Sequence, residues 1–432
     1  MPHPFRLSIV AAGVALSSFA AAAAHAGACD PQWRLFASGF DKQVRTFGEF
    51  NGVLHAGGSF DQAHGLNAHS IAAWNGSQFG ALGGGLVWSF GSQYCSAIAQ
   101  HQGTLAAGGS FIRAGATEVR NLAVWNSTAW TGLGSETYLE FVVGAVKSML
   151  VIEENGVETL YIGGAGLHRW TGAAWESAGV SGGIEAIIAV QEPDGLALYI
   201  ARDLGATSSV DRRDPVTGDW TTLGTLDGEA RDLASWDDGT GPAIYVCGDF
   251  QTVDAVAAKR IARFANGAWS ALGDGLNNLA YSLAVWDDGS GERLWVGGQF
   301  SFAGNSPASR LASWDGASWR GGGPSINGPV FAIFPHTIGD QTSLWIGGNF
   351  TTIGGEASER VARITACAAS PFCPGDTNGD GVVDFTDLNT VLTAYNAVAA
   401  DPNYNPGADF DSDGDVDFAD LNVVVSAFNN AC

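Results

Sequence analysis

The 432-residue sequence predicts an all-β chain, a seven-bladed β-propeller closed by its own N-terminal strand, followed by a small all-α domain. Three observations carry this. Glycine makes up 60 residues, about twice its usual share, which calls for many tight turns. A glycine-centred string recurs seven times at a spacing of roughly one propeller blade. The composition then changes abruptly near residue 367, where an acidic segment with helical periodicity begins.

The recurring string is L-[YW]-[VI]-G-G-x-F, as in Leu294 to Phe300 and Leu344 to Phe350. Its second-glycine position falls at Gly58, Gly109, Gly164, Arg202, Gly248, Gly298 and Gly348, with steps of 51, 55, 38, 46, 50 and 50 residues. A second string, I-A-x-W followed by N-G-x-x-W-x-x-L-G, comes 16 residues later in five copies: Trp74, Trp125, Phe264, Trp314 and Ile364. An alternating run and a turn such as Asp287-Asp288-Gly289 precede each glycine string. Each unit therefore supplies four short strands, the arithmetic of a propeller blade. The seventh unit lacks its last strand, and Trp33 to Phe36 supplies it from the N-terminus. That pairing removes exposed sheet edges. The repeated tryptophans, fixed in place in every unit, read as core packing.

Residues 1–26 read as a secretory signal: Arg6, an apolar stretch from Leu7 to Ala24, and an Ala24-His25-Ala26 cleavage site. No other segment is long and apolar enough to span a bilayer, so a secreted or cell-surface protein is expected. Disulfides are permitted there. Aligning the seventh unit with the complete one around Phe264 and Trp269 places Cys29 and Cys367 at one hairpin end, and a Cys29–Cys367 bridge locking the propeller is expected. Cys95 and Cys247 fall in distant units and read as buried free thiols. These repeats resemble kelch-like extracellular propellers across Cys29 to Cys367. The resemblance implies the fold and no particular activity. The domain reading is thus signal 1–26, propeller 27–367, linker 368–374 and C-terminal domain 375–432.

From Pro371 to Cys432 there are eleven Asp and no Lys, Arg or Glu. Two loops 33 residues apart place oxygen side chains at positions 1, 3, 5, 9 and 12, glycine at 6 and a backbone carbonyl at 7. In the first loop these are Asp376, Asn378, Asp380, Asp384 and Asp387, with Gly381 and the carbonyl of Val382. In the second they are Asp409, Asp411, Asp413, Asp417 and Asp420, with Gly414 and the carbonyl of Asp415. Hard, oxygen-seeking Ca2+ suits such clusters, so two calcium ions are expected. Each loop leads into D-L-N and an apolar helical pattern. This segment resembles a type I dockerin over about Gly375 to Asn430. The resemblance implies docking on a cohesin-type module of a scaffold or surface protein, with Phe385, Thr386, Phe418 and Ala419 at the partner-selecting positions. Cys373 and Cys432 flank the module and are expected to clasp its ends.

The net charge of −24 argues against nucleic acid as a partner. Asp61, His64 and His69 form the one His/Asp group considered for catalysis or metal binding, and their spacing matches no metal template. The Asp pairs at 237–238 and 287–288 and Glu153-Glu154 sit beside glycine in turns, where turn chemistry accounts for them. The third unit loses ten residues after its glycine string, which would lower the rim there. The leading function is an exported binding and assembly protein whose propeller presents a ligand face, carbohydrate being the class in view. A dockerin-tethered polysaccharide hydrolase or lyase is the alternative, and a structural surface protein a second.

Overall fold

In the computed structural model the described residues are 31–87, 93–135, 138–154, 156–338, 341–366, 375–377, 383–399, 401, 403–405, 407–410 and 413–428. The leader 1–26, the linker 368–374 and Cys29, Cys367, Cys373 and Cys432 lie outside them, as do Asn378, Asp380, Val382 and Asp411. The chain divides into two compact units, one spanning Trp33–Trp286 and Glu292–Ile364, the other including Thr365–Cys432.

Apart from one helical turn at Leu139–Val143, the regular structure of the first unit is antiparallel β-sheet. Sheet one runs Val44–Phe50, Val53–Gly58, Ile71–Trp74 and Phe79–Ala81. Sheet two runs Tyr94–His101, Thr104–Ser110, Leu122–Trp125 and Trp130–Thr131. Sheet three is Ser148–Glu154, Val157–Gly163, Gly166–Trp170 and Trp175–Ser181. Sheet four is Gly183–Glu192, Gly195–Asp203, Ser208–Arg213 and Trp220–Leu226. Sheet five is Glu229–Asp237, Pro242–Asp249, Ile261–Ala265 and Ala268–Ala271. Sheet six is Ala280–Asp287, Glu292–Gly298, Leu311–Trp314 and Trp319–Gly321. In sheet seven, Val330–Ile338, Gln341–Gly348 and Val361–Thr365 are completed on the outside by Gln32–Leu35. Inner strands of sheets one to five lie side by side in order, those of six and seven are linked by the Ile333 N–H donating to Ser282 Oγ at 3.3 Å, and the inner strand of sheet one also lies against that of seven. The Asp232 carboxylate joins sheets five and six by accepting the Leu283 N–H at 2.8 Å. The arrangement is propeller-like.

The second strand of each sheet is buried on both faces, and this is why its sequence reads as a continuous apolar run rather than an alternation. Inner-to-second hairpins at Asn51-Gly52 and Gln102-Gly103 have both central residues at positive φ, the turn whose twist matches paired strands. A β-bulge sits opposite the double glycine. Val44 pairs with Gly58 and Thr46 with Gly57, leaving Arg45 unopposed. The same slip leaves out Ser96, Glu185, Arg231 and Phe331 in sheets two, four, five and seven. A Cβ at Gly58, Gly109, Gly248 or Gly348 would collide with a carbonyl oxygen of the inner strand, so glycine is required there. Sheet four carries Arg202 instead, beside Gly182, just before its inner strand.

The tryptophan of each outer strand has a role beyond packing. Its Nε1–H donates to a carbonyl of the preceding sheet. The partners are Trp130 to Leu82 (3.3 Å), Trp175 to Leu133 (2.8 Å) and Trp220 to Ala178 (3.2 Å). The next two are Trp269 to Leu223 (2.9 Å) and Trp319 to Leu272 (2.8 Å). Each acceptor stands three residues after the preceding unit's own outer-strand tryptophan or phenylalanine, which explains the W-x-x-L string. The glycine that follows leaves room for the incoming indole: a Cβ at Gly83, Gly134 or Gly224 would strike Trp130, Trp175 or Trp269.

The rim facing the second-to-third connections is built from small hairpins in sheets one, two, five, six and seven. Single side chains clamp four of them. Asp41, Asp227, Asn277 and Asn327 each accept two successive backbone N–H groups through Oδ1. Sheet three lacks the hairpin, as its spacing predicts, and so does sheet four, where residues 204–207 alone make the connection.

The second unit holds two helices, α1 (Phe385–Ala394) and α2 (Phe418–Ala427), packed over Val383, Val391, Ala394, Ala408, Val416 and Val424. Cys95 and Cys247 are buried and unbridged, and burial pushes the Cys95 thiol up to about 12.

Two outcomes follow from this architecture. Trp319→Phe keeps the buried ring but removes the indole bond to the Leu272 carbonyl, which keeps the Gly275 N–H at 3.1 Å. It should cost about 0.5–1.5 kcal/mol, read as a lower urea midpoint. Asp232 is the second case. Burial raises its carboxyl from 3.8 to about 6 despite the N–H groups of Leu233 and Leu283. The ionised form therefore costs the folded state above about pH 6, and the cost fades as pH falls towards the ordinary carboxyl value. Asp232→Asn should gain stability relative to the native chain near neutral pH and lose that advantage near about pH 4, measured by urea unfolding at both.

Candidate functional site

The acidic loops of the second unit owe their local fold to two aspartates at equivalent places. Asp384 and Asp417 are N-caps, accepting the N–H of Thr386 (2.7 Å) and of Ala419 (2.6 Å). Three residues on, Asp387 and Asp420 complete capping boxes by accepting the N–H of Asp384 and Asp417, each at 2.9 Å. Their other oxygens reach back into the loops. Asp387 Oδ1 accepts the Thr377 N–H at 2.8 Å, and Asp420 Oδ1 accepts the Phe410 N–H at 2.6 Å. Both carboxylates are buried and negative charge is favoured at a helix N-terminus, so each locks a loop onto its helix.

The second loop brings its acids closest together. Carboxylate oxygens of Asp415, Asp417 and Asp420 lie within 4.8 Å of one another, the one such group of three among the described residues. Asp409, 9% exposed, accepts the Tyr404 hydroxyl at 2.7 Å and the Gly414 N–H at 3.1 Å, and this bond raises the Tyr404 phenol to about 12. Burial, and then the carboxylates of Asp413, Asp417, Asp420 and Asp409, hold the Asp415 carboxyl above its ordinary range. Two buried oxygens, Asp409 Oδ1 and Asp415 Oδ1, have no hydrogen-bond partner among the described residues. Concentrated carboxylates of this kind are chemically suited to a hard cation. Asp415 differs from its expected part: its carboxylate, and not only its carbonyl, belongs with the cluster. In the first loop the described members are Asp376, Asp384 and Asp387.

The helix starts expose large apolar groups. Phe385 is 75% and Phe418 68% exposed, with Thr386 and Ala419 next to them. Phe385 stands edge-on to Phe428 at 5.0 Å and opens a shallow groove with Thr386, Leu388, Asn389 and Leu392.

In the first unit the His69 N–H donates to the Asp61 carbonyl at 3.1 Å, but the side chains of Asp61, His64 and His69 form no metal-binding group among the described residues. Asp61 pairs with Lys42 and accepts a bond from Gln93. His64 stacks on Phe79, and burial lowers its pKa. The paired turn acids do more than turn chemistry requires. Asp237 does accept the N–H groups of Gly239 and Gly241. Asp238, however, is nearly buried, ion-paired to Arg263 at 3.2 Å and bonded to the Tyr245 hydroxyl at 3.1 Å. Glu154 with Tyr161 and Arg213, and Glu192 with Tyr199 and Arg212, repeat this set in sheets three and four. The signal was present in the sequence as an acid seven residues before each tyrosine. Every member is satisfied from within, so these sets tie strands together.

No family model matches the chain, and no curated protein matches it. Among solved structures, the crystal structure of BBS1N in complex with ARL6DN, soaked with mercury, is similar at a TM-score of 0.46 and 12% identity, over 78% of this chain and 95% of that one.

Removal of a capping box is directly testable. Asp420→Ala should unlock the second loop and destabilise α2 by about 1 kcal/mol or more. Amide exchange at residues 410 and 417–420 should accelerate while that of α1 stays unchanged.

Proposed function

We propose that the chain is an exported modular binding and assembly protein. Its first unit is a seven-bladed propeller closed by Gln32–Leu35, and its second a dockerin-like module that binds two calcium ions and docks on a cohesin-type module. One observation supports this most: two loop–helix units carry the same bonding around Asp387 and Asp420, and the second gathers carboxylates with buried oxygens unpartnered among the described residues. Asp376, Asp384 and Asp387 would serve the first ion with Asn378, Asp380 and Val382. Asp409, Asp411, Asp413, Asp415, Asp417 and Asp420 would serve the second. Bound calcium supplies the positive charge that lets these carboxylates stay close. Phe385, Thr386, Phe418 and Ala419 would meet the partner, the exposed rings being the anchor groups that interfaces favour. The signal 1–26 and bridges Cys29–Cys367 and Cys373–Cys432 belong to the same reading, as does a propeller face for a carbohydrate.

Isothermal titration of the chelated full-length protein tests the calcium reading. Two ions should bind, Asp387→Ala and Asp420→Ala should each lose one, and a type I cohesin should be captured only with calcium present. A folded chain that takes up no calcium would overturn it.

A further inference from the structure

The seven repeats are an internal alignment, and one structural position in them behaves unlike the rest. On each inner strand the residue just before the bulge is apolar or a buried cysteine: Val44, Cys95, Val146, Ile184, Ala230, Ala280 and Val330 are all 0% exposed. The next residue is the unopposed one. It is Arg45, Ser96, Glu185, Arg231 and Phe331 in the five sheets where the slip is described. Lys147 and Tyr281 hold the same place in sheets three and six, one residue before Ser148, which pairs with Gly163, and one before Ser282. The fold therefore fixes the backbone seven times and leaves this one side chain free to differ, which packing alone does not explain.

Several of these side chains reach one another from sheet to sheet, and Arg45 reaches a neighbour of Ser96. The Arg45 guanidinium lies 5.1 Å from the ring of Tyr94 of sheet two. Lys147 pairs with Glu185, Arg231 lies 5.0 Å over Tyr281, and Tyr281 stands edge-on to Phe331 at 5.0 Å. In a closed propeller they surround the mouth of the axis, on the side of the small rim hairpins. The mouth thus has an aromatic side, Tyr281 and Phe331, beside Arg45 of sheet one, while its other cations, Lys147 and Arg231, are paired with Glu185 and Glu229. Arg45 is exposed and bonded only to neutral partners among the described residues, Ser59 Oγ and Gln43 Oε1, each at 3.0 Å. In a chain of net charge −24, a guanidinium kept clear of acids is available to an anion.

We propose that this mouth is a binding site for a carboxylate-bearing glycan. Arg45 takes the carboxylate, and the aromatic side takes the apolar face of a sugar ring. The variation is confined to one ring of side chains, a footprint too small for the ~800 Å² per partner of a stable protein interface. The rim around it is held by repeated turn contacts. The absence of rim hairpins over sheets three and four leaves one side open, on the side of Lys147 and Glu185, for a chain to leave the mouth. The inference rests on the closed-propeller reading and not on calcium or cohesin binding.

The test uses the full-length protein and three probes: a galacturonic acid oligosaccharide, its methyl ester and poly-glutamate. The acidic oligosaccharide should bind, and its neutral ester should bind at least roughly tenfold more weakly. Arg45→Ala should weaken acid binding by about tenfold to a hundredfold with no change in the thermal midpoint. Arg169→Ala, on the third strand of sheet three, should leave binding unchanged. Absence of acid binding by folded protein, or equal binding by the Arg45 variant, would overturn the proposal. Binding of poly-glutamate alone would assign the mouth to an acidic protein segment and overturn it too. Cohesin capture measured on the same preparation separates a failure of this inference from a failure of the docking reading.

Discussion

The hydrogen bond from an outer-strand indole to a carbonyl of the sheet before it is the contact on which the first unit depends. Sheets packed face to face need no directional bond, and greasy surfaces alone permit sliding. An indole N–H seated on one carbonyl fixes the offset between neighbours, because a shift would leave the buried indole N–H without a partner. The same carbonyl comes from the turn that the preceding tryptophan begins, so the register of one sheet sets that of the next. Glycine at Gly83, Gly134 and Gly224 is what makes the approach possible. Phe79 occupies the corresponding place in sheet one, where no such donor exists, and a dense aromatic cluster of Phe36, Phe40, Trp74 and Trp345 packs around it instead.

The double glycine works on the other side of each sheet. By admitting a bulge opposite itself it turns one residue per sheet out of the pairing pattern, while the residue before stays locked in the core. Scaffold and variable position are thus set by a single steric requirement. The Arg202 exception is informative: a side chain stands where six units have none, and Gly182, just before the facing strand, provides the space.

Much of this was legible in the chain itself. Strand number per unit, the borrowed N-terminal strand and the short connection of sheet three all followed from the positions of Gly58 through Gly348 and of Trp33. Asp384, Asp387, Asp417 and Asp420 were legible only as oxygen ligands of the loops, and that the same carboxylates form capping boxes was not. What the sequence hid were relations between units. Nothing in W-x-x-L-G announces that the tryptophan of one copy serves the leucine carbonyl of another. The partners of Asp238, Glu154 and Glu192 are arginines and tyrosines on other strands, so turn propensity supplied a sufficient explanation too early. The bulge residues escaped notice because they differ between copies, and a search for repetition discards difference.

The outer strand of sheet seven comes from Gln32–Leu35, while its other three span Val330 to Thr365. The earliest-synthesised strand therefore has no partner until the latest one exists. Six sheets can form from neighbouring segments as the chain emerges, at little cost in loop entropy, but the seventh must wait for the ends to meet. In the interval the chain carries two open edges, one at each end, each able to pair with the matching edge of another copy. Folding yield should thus be governed less by the stability of any sheet than by how quickly one molecule's ends find each other before a neighbour's do.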